Sequence, residues 1–150
     1  MTKTTNRIIL LLSLVGLIVS GYLAYAKFSG IPVNCSILSG CQTVEQSKYS
    51  VMFGVPVAVY GVLFYLGLIF ATFIRINEKY KKLVTKLILL ATTFGFLFSV
   101  YLTYLELYVI FAICVYCVVS AIISTALFFL SLYENIVVSS FLRFKKEEYE

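Results

Sequence analysis

Of the 150 residues, 61% are hydrophobic and only 13% charged, with a formal net charge of +5. Soluble domains run at roughly 45–50% apolar and about 25% charged, and so short a chain has too little interior for the excess, which must face lipid. His, Asp and Trp are all absent, which excludes Ser-His-Asp triads, Cys-His dyads and His-ligated metals, and leaves four Cys, seven Glu and the hydroxyls to do any chemistry.

Residues 8–26 form the first apolar run, entered by Lys3 and Arg7 and closed by Lys27. Its basic start and small residues near the end resemble a signal peptide, but it is long enough to cross about 30 Å of hydrocarbon as a helix, and a retained span is expected. Residues 28–54 are the long polar segment between spans, with Cys35, Cys41, Pro32 and several Ser and Gly. A second span is predicted over 55–74, with Pro56 in the tolerant first turn. The loop 75–86 is basic, with Arg75, Lys79, Lys81, Lys82 and Lys86 against Glu78. Residues 87–133 are then apolar apart from Glu106 and scattered hydroxyls. One helix of that length would reach roughly 70 Å, so two spans are expected, at 87–107 and 112–133, joined by a tight reversal that no Gly or Pro marks. The tail 134–150, with Arg143, Lys145, Lys146 and three closing glutamates, reads as a short amphipathic helix along the membrane surface.

Lys and Arg set the orientation. With the N-terminus inside, ten of them fall on the cytoplasmic side and only Lys27 and Lys48 outside. The positive charge therefore reports topology, with no sign of nucleic-acid binding. The fold expected is an all-α integral membrane four-helix bundle, N-in and C-in, forming one domain over 1–150. A short helical or irregular segment in the first extracytoplasmic loop would cap it.

That topology carries both cysteine pairs to one face. Cys35 and Cys41 are spaced C-x5-C in the outer loop, and Cys114-Val-Tyr-Cys117 opens the fourth span. The extracytoplasmic side permits disulfides. A Cys-x-x-Cys at a helix start sets its first sulfur near free N–H groups and the positive dipole end, which favours the thiolate, and its second sulfur one turn deeper. A loop pair and an embedded pair can pass electrons by successive exchange, and a lipid-soluble quinone suits the end of such a relay. Two structural disulfides are commoner in general, but a C-x2-C on one turn closes a trivial loop and constrains little chain. A four-Cys zinc site is disfavoured where thiols oxidise and where one pair is embedded, so no metal is expected.

These pairs, together with Ser47-x6-Gly54-Val55-Pro56 and the following Gly61, resemble the vitamin K epoxide reductase family in its prokaryotic branch. The resemblance runs from the first span through the fourth. The family of disulfide bond protein B also has four spans and four Cys, but with the C-x2-C in the first outer loop, the opposite order. The resemblance implies a relay. Cys35 would form a mixed disulfide with a reduced partner, Cys41 would exchange with Cys114, and Cys117 would deliver electrons to a quinone of menaquinone or ubiquinone type. Ser47 matches a serine near the family's active site, with a loop-capping hydroxyl as its plainer reading. Phe53 and Gly54 match the loop-to-helix junction. Vertebrate members carry a Tyr one turn after the second Cys of the motif; here Ala121 follows Ser120, and these two with Cys117 are the expected quinone contacts. Many prokaryotic members have a fused thioredoxin-like domain; the chain ends at Glu150, which implies a separate extracytoplasmic thioredoxin-fold partner.

Glu106 lies eight residues before Cys114. Near the interface a glutamate is easily hydrated and marks a turn; proton transfer in quinone reduction is the sharper alternative. Tyr116, inside the motif, reads as packing that also tunes access to the sulfurs. The function expected is a quinone-dependent membrane thiol–disulfide oxidoreductase, multi-pass in the cell membrane with its site on the extracytoplasmic face, supporting disulfide formation in exported proteins. The rivals are a small four-helix transporter and a membrane assembly subunit with structural disulfides.

Overall fold

The computed structural model describes residues 2–33, 35, 40–77 and 79–147, with side chains between 4 and 140. Glu78, Glu148 and Glu150 lie outside the described residues, as do the side chains of Lys3, Arg143, Lys145, Lys146 and Glu147. Four helices are long and apolar enough to cross a membrane, over Thr4–Ser29, Val57–Ile74, Lys81–Ile110 and Val115–Ser140. The all-α membrane bundle expected from composition is the architecture found.

Helix α1 (Thr2–Ser29) stops at Gly30, whose φ of 64° only a residue without Cβ adopts freely. The Ile31 N–H then turns back to the Ala26 carbonyl at 3.1 Å, as a Schellman cap requires. The expected capping segment is a short helix α2 (Gly40–Gln46), a 3₁₀ turn (Lys48–Ser50) and a small hairpin of β1 (Val51–Met52) and β2 (Val55–Pro56). Val51 pairs with Pro56 and Met52 with Val55, and both turn residues, Phe53 and Gly54, have positive φ, as a two-residue hairpin turn demands. Helix α3 (Val57–Ile74) starts after Pro56, which caps the helix instead of occupying its first turn. Helix α4 (Lys81–Leu105) passes into a π turn (Glu106–Ile110), and α5 (Val115–Glu147) completes the bundle. Residues 134–147 prolong α5 without a break, so the separate surface helix expected of the tail is replaced by a longer last helix.

Helix α1 packs on α3 and α5, α4 packs on α5, and α3 meets α4. Ile9, Tyr65, Leu68, Val84, Ile88, Ile123 and Leu127 form the central core. Large apolar side chains such as Leu11, Ile18, Phe70, Leu90, Phe94 and Ile122 stay on the outside, where hydrocarbon takes them at no cost. Lipid gives apolar packing between helices no solvent advantage, so small residues and interhelical hydrogen bonds do more of the holding. Thr92 and Ser131 meet at 2.6 Å, and Ser99 and Ser124 at 2.7 Å, each pair joining α4 to α5.

At the end far from the cysteines, Arg75 and Glu134 form an ion pair with both side chains buried. Arg75, expected in the basic loop, caps the end of α3, and Glu134, expected at the start of the tail, lies within α5, so together they tie the end of α3 to α5. Removing one partner strands a charge. Glu134→Ala is expected to cost about 3–5 kcal/mol, and the double change Arg75→Met with Glu134→Leu to recover most of it, read as unfolding midpoints in detergent.

Candidate functional site

The four cysteines collect at one end of the bundle. Cys35 and Cys41 are disulfide-bonded across a Cα separation of 6.0 Å, while Cys114 and Cys117 are thiols. Cys41 and Cys114, 1% and 2% exposed, share one packed cluster with Leu23, Ala26 and Val33, and Cys35 and Cys117 border it. What allows this is a backbone contact one residue before each buried cysteine. A Cβ placed on Gly40 would sit 2.5 Å from the Ile113 carbonyl oxygen and 2.7 Å from its nitrogen. Glycine lets α2 lie directly on the strand of chain that leads into α5.

The approach to α5 is itself shaped by an unusual reversal. The Glu106 carbonyl accepts the N–H of Phe111 and, at 3.1 Å, that of Ala112. Phe111 takes a left-handed conformation at φ 54°, which is costly for a bulky residue. The chain then leaves helical structure until Cys114, whose carbonyl accepts the Val118 N–H at 3.0 Å and so begins the helix. Cys114 therefore sits at the N-terminus of α5, as expected, with Cys117 within the first turn. The two thiols lie close enough to interact electrostatically.

Glu106 is 5% exposed, so the hydrated turn marker expected of it is replaced by a buried carboxylate. Its Oε2 accepts the Cys114 N–H at 3.2 Å, and the carboxylate lies close enough to the Cys117 thiol for the two to interact. At the edge of the cap, Lys27 donates to the Glu45 carbonyl and to Ser50 Oγ at 2.8 Å, with the Glu45 carboxylate 3.7 Å away. Burial pushes the Glu45 carboxyl above its usual range, against the pull of Lys27.

Beside the cluster lies a mostly apolar cavity of about 370 Å³, walled by α1, α3, α4, α5 and the cap. Cys117, Ser120, Ala121, Ser47 and Glu106 all line it, whereas Cys35, Cys41 and Cys114 do not. The Ser47 hydroxyl donates to the Val44 carbonyl at 2.7 Å, so it caps the short helix while also reaching the wall. Phe53 and Gly61 line the cavity as well, and Tyr116 stacks at a tilt on Tyr22, 5.3 Å between centroids.

Two contributors were not singled out beforehand. Gly40 was read as one of several loop glycines, and nothing local separates it from the others. Tyr65 is 1% exposed, and its hydroxyl meets Ser120 Oγ at 2.8 Å on the cavity wall. Gly16 makes room for its ring, since a Cβ there would overlap it. The usable signal was a tyrosine in mid-span, where a hydroxyl needs a partner.

The profile of the Vitamin K epoxide reductase family matches residues 7–132. A curated relative, the thiol-disulfide oxidoreductase LTO1 of Arabidopsis thaliana, is 33% identical over 120 residues, covering 75% of this chain and 32% of its own length. The chain thus spans about a third of that relative.

The packing at Gly40 makes a direct forecast. With Cys35 and Cys117 both replaced by Ala, Cys41 and Cys114 are expected to cross-link under mild oxidant, as followed by gel shift. Adding Gly40→Ala forces the two backbones apart, costs about 1–3 kcal/mol in overpacking, and is expected to slow that cross-link at least about tenfold.

Proposed function

The chain belongs to the vitamin K epoxide reductase family, and on that footing we propose that it is a membrane thiol–disulfide oxidoreductase that passes electrons from an extracytoplasmic thioredoxin-fold protein to a membrane quinone. The observation that carries this reading is the packing of two cysteine pairs into one cluster whose last member, Cys117, opens onto an apolar cavity.

Each residue then has a role that its surroundings support. Cys35, less buried than Cys41, is the sulfur a partner dithiol attacks, and the mixed disulfide forms there. The partner leaves oxidised when its second thiol attacks that bond, and the loop pair becomes a dithiol. Cys41, packed in the same cluster as Cys114, passes the pair of electrons on by exchange, re-forming the Cys35–Cys41 bond and reducing the Cys114–Cys117 disulfide. The N-terminus of α5 favours negative charge on Cys114 during that exchange. The cavity suits a quinone head group in size and in its few converging polar groups, with Ser120, Tyr65 and Ala121 as its holding contacts and Ser47 at the cap. A quinone bound there would supply the two-electron acceptor, and its lipid solubility suits a site between spans.

The ten-to-two distribution of Lys and Arg supports an orientation with N- and C-termini in the cytoplasm and the cysteines outside. The net effect would be disulfide formation in exported proteins.

Purified protein with a reduced thioredoxin-fold donor is expected to reduce ubiquinone or menaquinone analogues. Cys117→Ala is expected to abolish that reduction and accumulate a donor mixed disulfide. If the wild type consumes no quinone with any donor, the cysteines are structural, and the transporter or assembly reading takes over.

A further inference from the structure

We propose that Glu106 is a catalytic residue of this site, the carboxylate that takes the protons released when the Cys114–Cys117 dithiol is oxidised and passes them into the cavity. The assignment rests on the oxidoreductase reading above and adds to it the path of the protons.

Oxidation of the pair forms one S–S bond and breaks two S–H bonds. Two electrons and two protons must leave together, because the acceptor class, a quinone, gains both on becoming a quinol. Electrons have an exit at Cys117. Protons need a carrier in a site whose cavity lining is mostly apolar. Glu106 is buried, lines the same cavity wall as Cys117, accepts the Cys114 N–H at 3.2 Å, and lies close enough to the Cys117 thiol to interact with it. The Cys117 proton moves to its carboxylate directly. The Cys114 proton follows by way of the neighbouring Cys117 sulfur to the same carboxylate, once the first has been passed on.

Electrostatics make the transfer obligatory rather than incidental. Two adjacent negative charges in an apolar site are strongly disfavoured, so Cys117 becomes a thiolate only as Glu106 becomes neutral. The site then holds one negative charge throughout. While Glu106 carries that charge, the Cys114 N–H and the N-terminus of α5 stabilise it.

The other titratable groups on the cavity wall are otherwise engaged. Tyr65 is bonded to Ser120, Tyr60 donates to the Met52 carbonyl at 3.2 Å, and Glu45 pairs with Lys27 at the cap, where Tyr49 also lies. The Glu106 carboxylate is the one of these that reaches the Cys117 sulfur.

Two readouts test this on the full chain in detergent, with wild type, Glu106→Gln and Glu106→Asp. The first needs no quinone: the pH dependence of Cys117 alkylation by iodoacetamide, resolved by peptide mass spectrometry. In a Cys114→Ala background, which removes the neighbouring thiol, Cys117 is expected to titrate in two steps with Glu106 present, as a coupled thiol–carboxyl pair does, and in one step with Glu106→Gln. The second is quinone turnover. It is expected to fall about 10²-fold in Glu106→Gln and to lose its acid limb, since the wild type slows as falling pH protonates the carboxylate. Glu106→Asp is expected to restore part of the rate and the acid limb, and it carries the test if Glu106→Gln does not fold. Superimposable alkylation curves, or turnover with an unchanged pH profile, would overturn the proposal. Should wild type reduce no quinone at all, the oxidoreductase reading falls on that result, while the alkylation curves still decide whether Glu106 exchanges a proton with Cys117.

Discussion

The functional end of this bundle depends on one close contact, that of the Gly40 backbone against Ile113. Each is the residue before a buried cysteine, so their separation sets the distance between the loop pair and the pair on α5. Two independent constraints deliver the segments to that point. The Cys35–Cys41 disulfide and the Lys27 contacts hold α2 over the end of α1, and the reversal through the π turn and left-handed Phe111 aims the start of α5 back at it. A left-handed Phe costs on the order of 1 kcal/mol, which persists because the surrounding packing overdetermines it.

The bundle treats its buried charges in two different ways. At one end Arg75 and Glu134 neutralise each other and lock α3 to α5, an arrangement that makes both groups inert. At the other end, no cation among the described residues pairs with Glu106. Its partners are a backbone N–H and a thiol, which can stabilise the carboxylate but leave its proton affinity open to change. The same residue type is thus structural at position 134 and chemically available at position 106, and the difference lies wholly in what faces it. Between the two ends the helices are joined by hydroxyl pairs, Thr92–Ser131 and Ser99–Ser124, which satisfy polar groups without introducing charge.

The cavity follows from the same geometry. Tyr65, admitted by Gly16, turns its hydroxyl to Ser120, and the cap with Phe53 at its hairpin tip closes part of the opening. Cys117 stands between the sulfur cluster and the cavity, bordering both. An apolar chamber with a few converging polar groups and one sulfur at its wall suits the electron exit proposed above.

Amphipathic periodicity hardly mattered to the sequence reading, because a lipid-exposed helix is apolar nearly all round. Length, hydropathy and charge distribution were sufficient for four helices, an all-α bundle and two cysteine pairs at one end. These properties are local or additive, and each residue contributes to them whatever its neighbours do. The register between segments far apart in sequence lay beyond that reading. That Gly40 meets Ile113, that Tyr65 meets Ser120, that Arg75 and Glu134 cancel, and that Glu106 is buried beside Cys117 are all facts about pairs from different segments of the chain. The reversal at 106–114 was hidden for a related reason: neither Gly nor Pro announces it, and Phe111 adopts a backbone conformation that its own side chain disfavours. Composition and pattern therefore decided which elements form and which chemistry they carry. Tertiary packing decided which groups touch, because contact depends on helix rotation and on steric space that no single segment encodes.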